Sequence, residues 1–206
     1  MVEPTMNLTT LSIPDMATGS AYLSRLPLAN PAAAEQQLQL FLDALLADPP
    51  PADTLLSLLE QARVPLCFVE EEMARRYHNK ALPLGSEEEN SFQLVLSTWE
   101  KMRSAYALCA RLAEPMASDP QFSGLIATVL HRCLYYSGMV ILEHFRARRE
   151  LPPGIWQDLH QFYATAEHWG VAYTPIEDAL ESNLQATHCS AAYVTILLID
   201  VASPYS

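Results

Sequence analysis

Glycine is scarce in this chain, six residues against fifteen prolines. Folds rich in β-structure spend glycine on turns and bulges, so the ratio argues for helices that prolines start and stop. Charge is also sparse. Only 17% of residues are charged and half are hydrophobic, which excludes a disordered chain. Positive charge is sparser still, twelve Lys and Arg against twenty-four Asp and Glu, for a net charge of −12. That sign opposes binding to nucleic acid or to an anionic membrane. The four cysteines, Cys67, Cys109, Cys133 and Cys189, stand far apart with no CxxC pair, and are expected as reduced core thiols. No basic N-terminal segment leads into an apolar core, so a signal peptide is not expected and a cytoplasmic location is.

The usual marks of catalysis are missing as well. Neither GxGxxG nor GxxxxGK[ST] occurs, which excludes nucleotide binding through those loops. There is no GxSxG elbow and no HExxH. No His lies four residues from another, and none follows a Glu by three as carboxylate-bridged di-iron bundles need. Glu143-His144 and Glu167-His168 are adjacent pairs whose side chains leave a helix on different faces. No catalytic residue, metal ligand or cofactor site is expected. The longest apolar run, 125–142, holds His131 and Arg132 near its middle, costly in hydrocarbon, and reads as a core helix rather than a membrane span.

What the chain does have is helical periodicity. From Ser86 to about Ala117, residues Phe92, Val95, Trp99, Met102, Tyr106, Cys109, Ala113 and Met116 step by threes and fours, the spacing of knobs-into-holes packing. Ser86 with Glu89 forms a capping box. A matching seam follows in Phe122, Ile126, Val129, Cys133, Tyr136 and Val140, after Asp119 as cap and Pro120 at the first helical position. The two are expected to pair as a long antiparallel hairpin, 86–117 with 120–149. The fold class is all-α, a bundle of about seven to eight helices around that hairpin, with solenoid-like helical pairs toward the C-terminal end.

Around the hairpin, residues 1–29 read as an extended arm anchored by Leu23, Leu26 and Leu28, and 30–206 as a single helical domain. Asn30-Pro31 starts a helix carrying Leu38, Phe41, Leu42, Leu45 and Leu46. Pro49, Pro50 and Pro51 stop it, and Asp53 caps a short second helix with Leu55, Leu56, Leu58 and Leu59. Pro65 is expected to break that helix, a third beginning at Leu66 with Glu71-Arg75 and Glu72-Arg76 as i, i+4 pairs. Pro152-Pro153 opens a helix with Ile155, Trp156, Leu159, Phe162, Tyr163 and Ala166, closed by Gly170. Its Trp-x2-Leu…Tyr spacing partly echoes the tetratricopeptide repeat, but His160 replaces the motif's glycine and no second copy follows. Thr174 with Glu177 starts another helix, and the apolar 191–201 is helix or buried strand, with helix favoured. The greasy ending suggests a piece of a longer polypeptide.

Two sets of residues are candidate contact sites. Glu70, Glu71, Arg75 and Arg76 on one helix, with Arg146, Arg148 and Arg149 on another, form charged faces that a partner could use. A solvated helix face and completion of the helix dipole explain them more simply. Trp99, Tyr106, Tyr135 and Tyr136 could line a pocket between helices, a common place for a ligand in a bundle, or simply pack the core.

The run from Arg63 to Gly85 and the run from Ile155 to Gly170 resemble the helical N-terminal region of bacterial proteins that end in a PilZ-type cyclic-di-GMP-binding domain. The resemblance implies a regulatory protein whose nucleotide-binding part lies beyond Ser206. The RxxxR and [DN]xSxxG signature of PilZ is absent from these residues, so no ligand residues carry over. The leading expectation is a non-catalytic interaction or regulatory module of a cytoplasmic signalling protein. Its partner would be another protein, its own C-terminal domain or a second copy of itself. A small-molecule sensor is the alternative, and a helical enzyme is disfavoured.

Overall fold

A computed structural model describes residues 11–79, 87–147 and 149–172 of the chain. Six helices and no strand occur among them: α1 (Met16–Leu23), α2 (Pro31–Ala47), α3 (Ala52–Asn79), α4 (Glu87–Leu112), α5 (Pro120–Ala147) and α6 (Ile155–His168). The structure is all-helical. The chain divides into two compact units, Met1–Val69 and Glu70–Ser206. The Ser86 cap, the helix after Thr174 and the 191–201 segment lie outside the described residues.

In the first unit, α1 occupies part of what was read as an extended arm. Asp15 caps it, its Oδ1 accepting the Thr18 amide at 2.7 Å. Periodicity hides this helix because its inward residue is Gly19, whose missing side chain lets Leu58 and Ile13 approach. Tyr22 stacks on Phe41 of α2 with 5.7 Å between centroids and donates its hydroxyl to the Gln37 carbonyl at 3.0 Å. Asn30 caps α2 as expected, ahead of Pro31 at the first turn. Leu38, Phe41, Leu42 and Leu45 are fully buried.

Pro65 does not break α3. An interior proline costs a helix about 3 kcal/mol, but Leu58, Ala62, Pro65 and Val69, one stripe at steps of four and three, are all buried. Continuing the helix keeps that stripe facing inward, and burial offsets the lost hydrogen bond. Asp53 falls in the first turn rather than at the cap, because the helix already begins at Ala52.

In the second unit the seams read from sequence are the core. Val95, Trp99, Met102, Tyr106 and Cys109 of α4 are buried, as are Phe122, Ile126, Val129, Cys133, Tyr136 and Val140 of α5. Trp99 donates to Ser137 at 3.0 Å, and the Cys133 thiol contacts the Met102 carbonyl at 3.3 Å. Helix α4 ends at Leu112, earlier than the expected Ala117; residues 113–118 are turns. Pro115 explains the stop, since the residue before a proline is pushed out of helical geometry. Asp119 Oδ1 accepts the Gln121 amide at 2.7 Å and starts α5.

By length and composition, Pro120–His144 is apolar enough to cross a membrane, but 72% of that window is buried inside the protein. Arg132, in its middle, pairs with Glu70. Gly154 (φ 84°) precedes α6, and Gly170 (φ 64°) closes it with the left-handed turn expected there. The Val171 amide returns to the Ala166 carbonyl at 2.8 Å.

Candidate functional site

Helix α6 is fastened to α4 by three contacts of different kinds. Tyr106 meets Phe162 edge to face at 4.8 Å between centroids, and its hydroxyl shares a 2.8 Å hydrogen bond with Thr165. Arg103 Nε lies 2.7 Å from Asp158 Oδ2, close enough for an ion pair but not aligned as a hydrogen bond. The Arg103 guanidinium also sits 4.6 Å above the Trp99 ring, a cation–π placement. Burial raises the Tyr106 phenol above its ordinary pKa, against the smaller opposing pull of Thr165.

Beside Tyr106 lies a cleft of about 510 Å³. Ala110, Ala113 and Ala117 form one wall, Gln161, Ala164, Thr165 and His168 the other, with Ile126 beneath and Trp169 at the end. The alanines sit at steps of three and four, so that wall has no side chain longer than a methyl. Trp169 is held edge to face on Phe122 at 5.2 Å and beside His168 at 5.7 Å. The lining is chiefly apolar and the volume falls in the range of small-ligand sites.

Of the four aromatics read as a candidate pocket, Tyr106 lines this cleft. Trp99 is 2% exposed and bonded to Ser137, and Tyr135 and Tyr136 meet edge to face at 5.2 Å on α5. Burial raises the Tyr136 phenol strongly, with Glu70 adding to the effect. The cleft residues Gln161, His168 and Trp169 escaped the sequence reading. Their signal was an exposed helix face with small residues at 164 and 165, ending in an aromatic ahead of a glycine.

The charged candidates separate. Glu70 is half-buried and bonded to Arg132, sixty-two residues on, rather than part of a solvated run. Glu71 is exposed. Arg75 bonds Glu72, three residues back, instead of Glu71, and that carboxylate raises the guanidinium pKa. Arg149 is exposed, its amide bonded to the His144 carbonyl at 2.9 Å. The side chains of Arg76 and Arg146, and all of Arg148, lie outside the described residues. Among the described residues no cluster of His, Cys, Asp and Glu is arranged to hold a metal ion.

The family model for the N-terminal domain of the cyclic-di-GMP receptor FimW matches residues 17–206. The chain belongs to this family. The cyclic-di-GMP receptor FimW of Pseudomonas aeruginosa (strain PAO1) is 25% identical over 181 residues, covering 88% of this chain and 30% of the relative. The chain therefore spans about a third of the length of that curated relative. No solved structure matches. Both runs that carried the resemblance, 63–85 and 155–170, fall inside the matched FimW N-terminal span, as does the whole α4/α6 cleft.

Proposed function

We propose that this chain is a non-catalytic helical interaction module of a cytoplasmic cyclic-di-GMP signalling protein, and that nucleotide binding belongs to a PilZ-type domain elsewhere in the same polypeptide. The observation that carries the reading is the family match to the N-terminal domain of a receptor, combined with coverage of only 30% of that relative. The absence of a PilZ signature from the sequence supports it, and the buried thiols of Cys109 and Cys133 suit a reducing compartment. In this reading the scaffold is the α4/α5 hairpin of a seven-to-eight-helix bundle. Its contacts, with a protein partner or its own C-terminal domain, use the exposed Glu71, Arg75 and Arg149 or the α4/α6 cleft.

The test is calorimetric titration of the 206-residue chain and of the full-length protein with cyclic-di-GMP. Binding by the full-length protein alone is the expected result; saturable binding by the isolated chain would sink the proposal.

The cleft favours one second reading, a small-molecule sensor. A thermal-shift screen distinguishes it, because a ligand of the folded state alone raises the melting temperature. Substituting Ala113→Trp would then abolish the shift.

A further inference from the structure

Among the described residues that line the α4/α6 cleft there is no Asp, Glu, Lys or Arg, and its one imidazole, His168, is exposed to solvent. A charged ligand entering there gives up water and gains no counter-charge, so the cleft suits an uncharged one. Ala110, Ala113 and Ala117 on α4 and Ala164 on α6 offer methyl groups alone. Aromatic rings stand nearby. Tyr106 lines the cleft, and so does the half-buried Trp169, held on Phe122 by the 5.2 Å edge-to-face contact. A ring packed against these rings gains more than the area it buries.

The hydroxyls in the wall fix which polar group a ligand must bring. Thr165 donates its hydroxyl to the Gln161 carbonyl at 2.8 Å, and a hydroxyl has one proton to give. In the 2.8 Å contact between Thr165 and Tyr106 the phenol is therefore the donor. Both protons are spent within the wall, and the phenol oxygen keeps its capacity to accept. The Gln161 amide reaches toward that oxygen as well, but Gln161 is exposed, and water takes over its hydrogen bonds when a ligand donor arrives. Tyr106 itself is 8% exposed, so its oxygen is a shielded acceptor.

We propose that the α4/α6 cleft binds an uncharged aromatic molecule that carries one O–H or N–H donor, the donor meeting the Tyr106 oxygen and the ring lying against Trp169 and the alanine row. This names the ligand class for the sensor reading above and rests on that reading. A body of about two fused rings suits a cleft of about 510 Å³.

The experiment is calorimetric titration of the 206-residue chain with four compounds of similar size: 2-naphthol, 2-methoxynaphthalene, 2-naphthoate and decahydro-2-naphthol. 2-Naphthol is expected to bind saturably at one site per chain. Methylating its oxygen removes the donor and weakens binding about tenfold, the equivalent of one hydrogen bond. The carboxylate, for want of a counter-charge, and the saturated alcohol, for want of a ring, also bind more weakly than 2-naphthol. Tyr106→Phe narrows the gap between 2-naphthol and 2-methoxynaphthalene. Ala110→Trp, at an exposed position, fills the cleft and abolishes binding, with helix content unchanged by far-ultraviolet circular dichroism. No binding of 2-naphthol, equal binding of the methoxy compound or the carboxylate, or wild-type affinity in Ala110→Trp would overturn the assignment. The sensor reading survives that outcome if another class of compound raises the melting temperature, and falls with it if nothing in the thermal-shift screen does.

Discussion

The indole nitrogen of Trp99 donates to the hydroxyl of Ser137 across 3.0 Å, and that hydroxyl donates in turn to the carbonyl of Cys133 at 2.7 Å. Ser137 is fully buried, so no water replaces it. Ser137→Ala therefore strands the indole N–H and is expected to cost about 1–3 kcal/mol, read as a lower urea midpoint at unchanged slope. On a Trp99→Phe background, where no donor remains to strand, the same substitution costs less. A double-mutant cycle isolates the coupling.

Tyr106 and Phe162 hold α6 against α4. Tyr106→Phe keeps the ring contact and loses the bond to Thr165, an expected cost of about 1 kcal/mol. Phe162→Ala removes a ring that is 2% exposed and is expected to cost about 3–5 kcal/mol. The phenol also predicts a pH dependence. Its folded pKa is raised, so its contribution is complete below tyrosine's ordinary 10.0 and fades as pH climbs through the folded value. Ultraviolet difference titration should show tyrosines ionising later than the exposed ones, Tyr136 among them, and Tyr106→Phe should reduce that late component by one tyrosine.

Gly19 tests close packing in α1. A Cβ built there collides with Leu58 Cδ2 and meets Leu58 Cδ1 at 2.9 Å and Ile13 Cγ2 at 3.1 Å. Alanine improves helix propensity by about 1 kcal/mol, whereas overpacking a filled core costs typically about 1–3 kcal/mol. Leu58 and Ile13 are essentially unexposed and have little room to yield. Gly19→Ala is expected to destabilise on balance, with a lowered thermal midpoint as the readout.

Acid should fray the same helix. The Thr18 amide lowers the Asp15 pKa below its usual 3.8. A depressed carboxylate stabilises above its unfolded pKa, and that contribution disappears as pH falls through the folded value. Amide exchange at Thr18 is expected to accelerate below about pH 4. Asp15→Asn, which caps without titrating, should remove this acid dependence.

Periodicity exposed the interior of the second unit because Val95, Trp99, Met102 and Cys109 repeat with the helix turn and pack within it. It missed α1, where packing is done by a residue without a side chain, and it overvalued Pro65, whose cost is offset by tertiary burial that no local rule registers. The cleft was hard to read because one of its walls is made of alanines, which look like core in sequence. Glu70 was taken for a solvated residue because its partner Arg132 is remote in the chain. The Gly170 turn, by contrast, needs only one residue with positive φ, and a glycine after an amphipathic run announces it.

The bond from Glu70 to Arg132 sets a practical limit on dissecting the molecule. Glu70 is the first residue of the second unit, yet its carboxylate pairs with a half-buried guanidinium in the middle of the helix that is, among the described residues, long and apolar enough to cross a membrane. A recombinant fragment that starts at Glu71 loses that ion pair. Any expression boundary intended to yield the second unit by itself must be set upstream of Glu70.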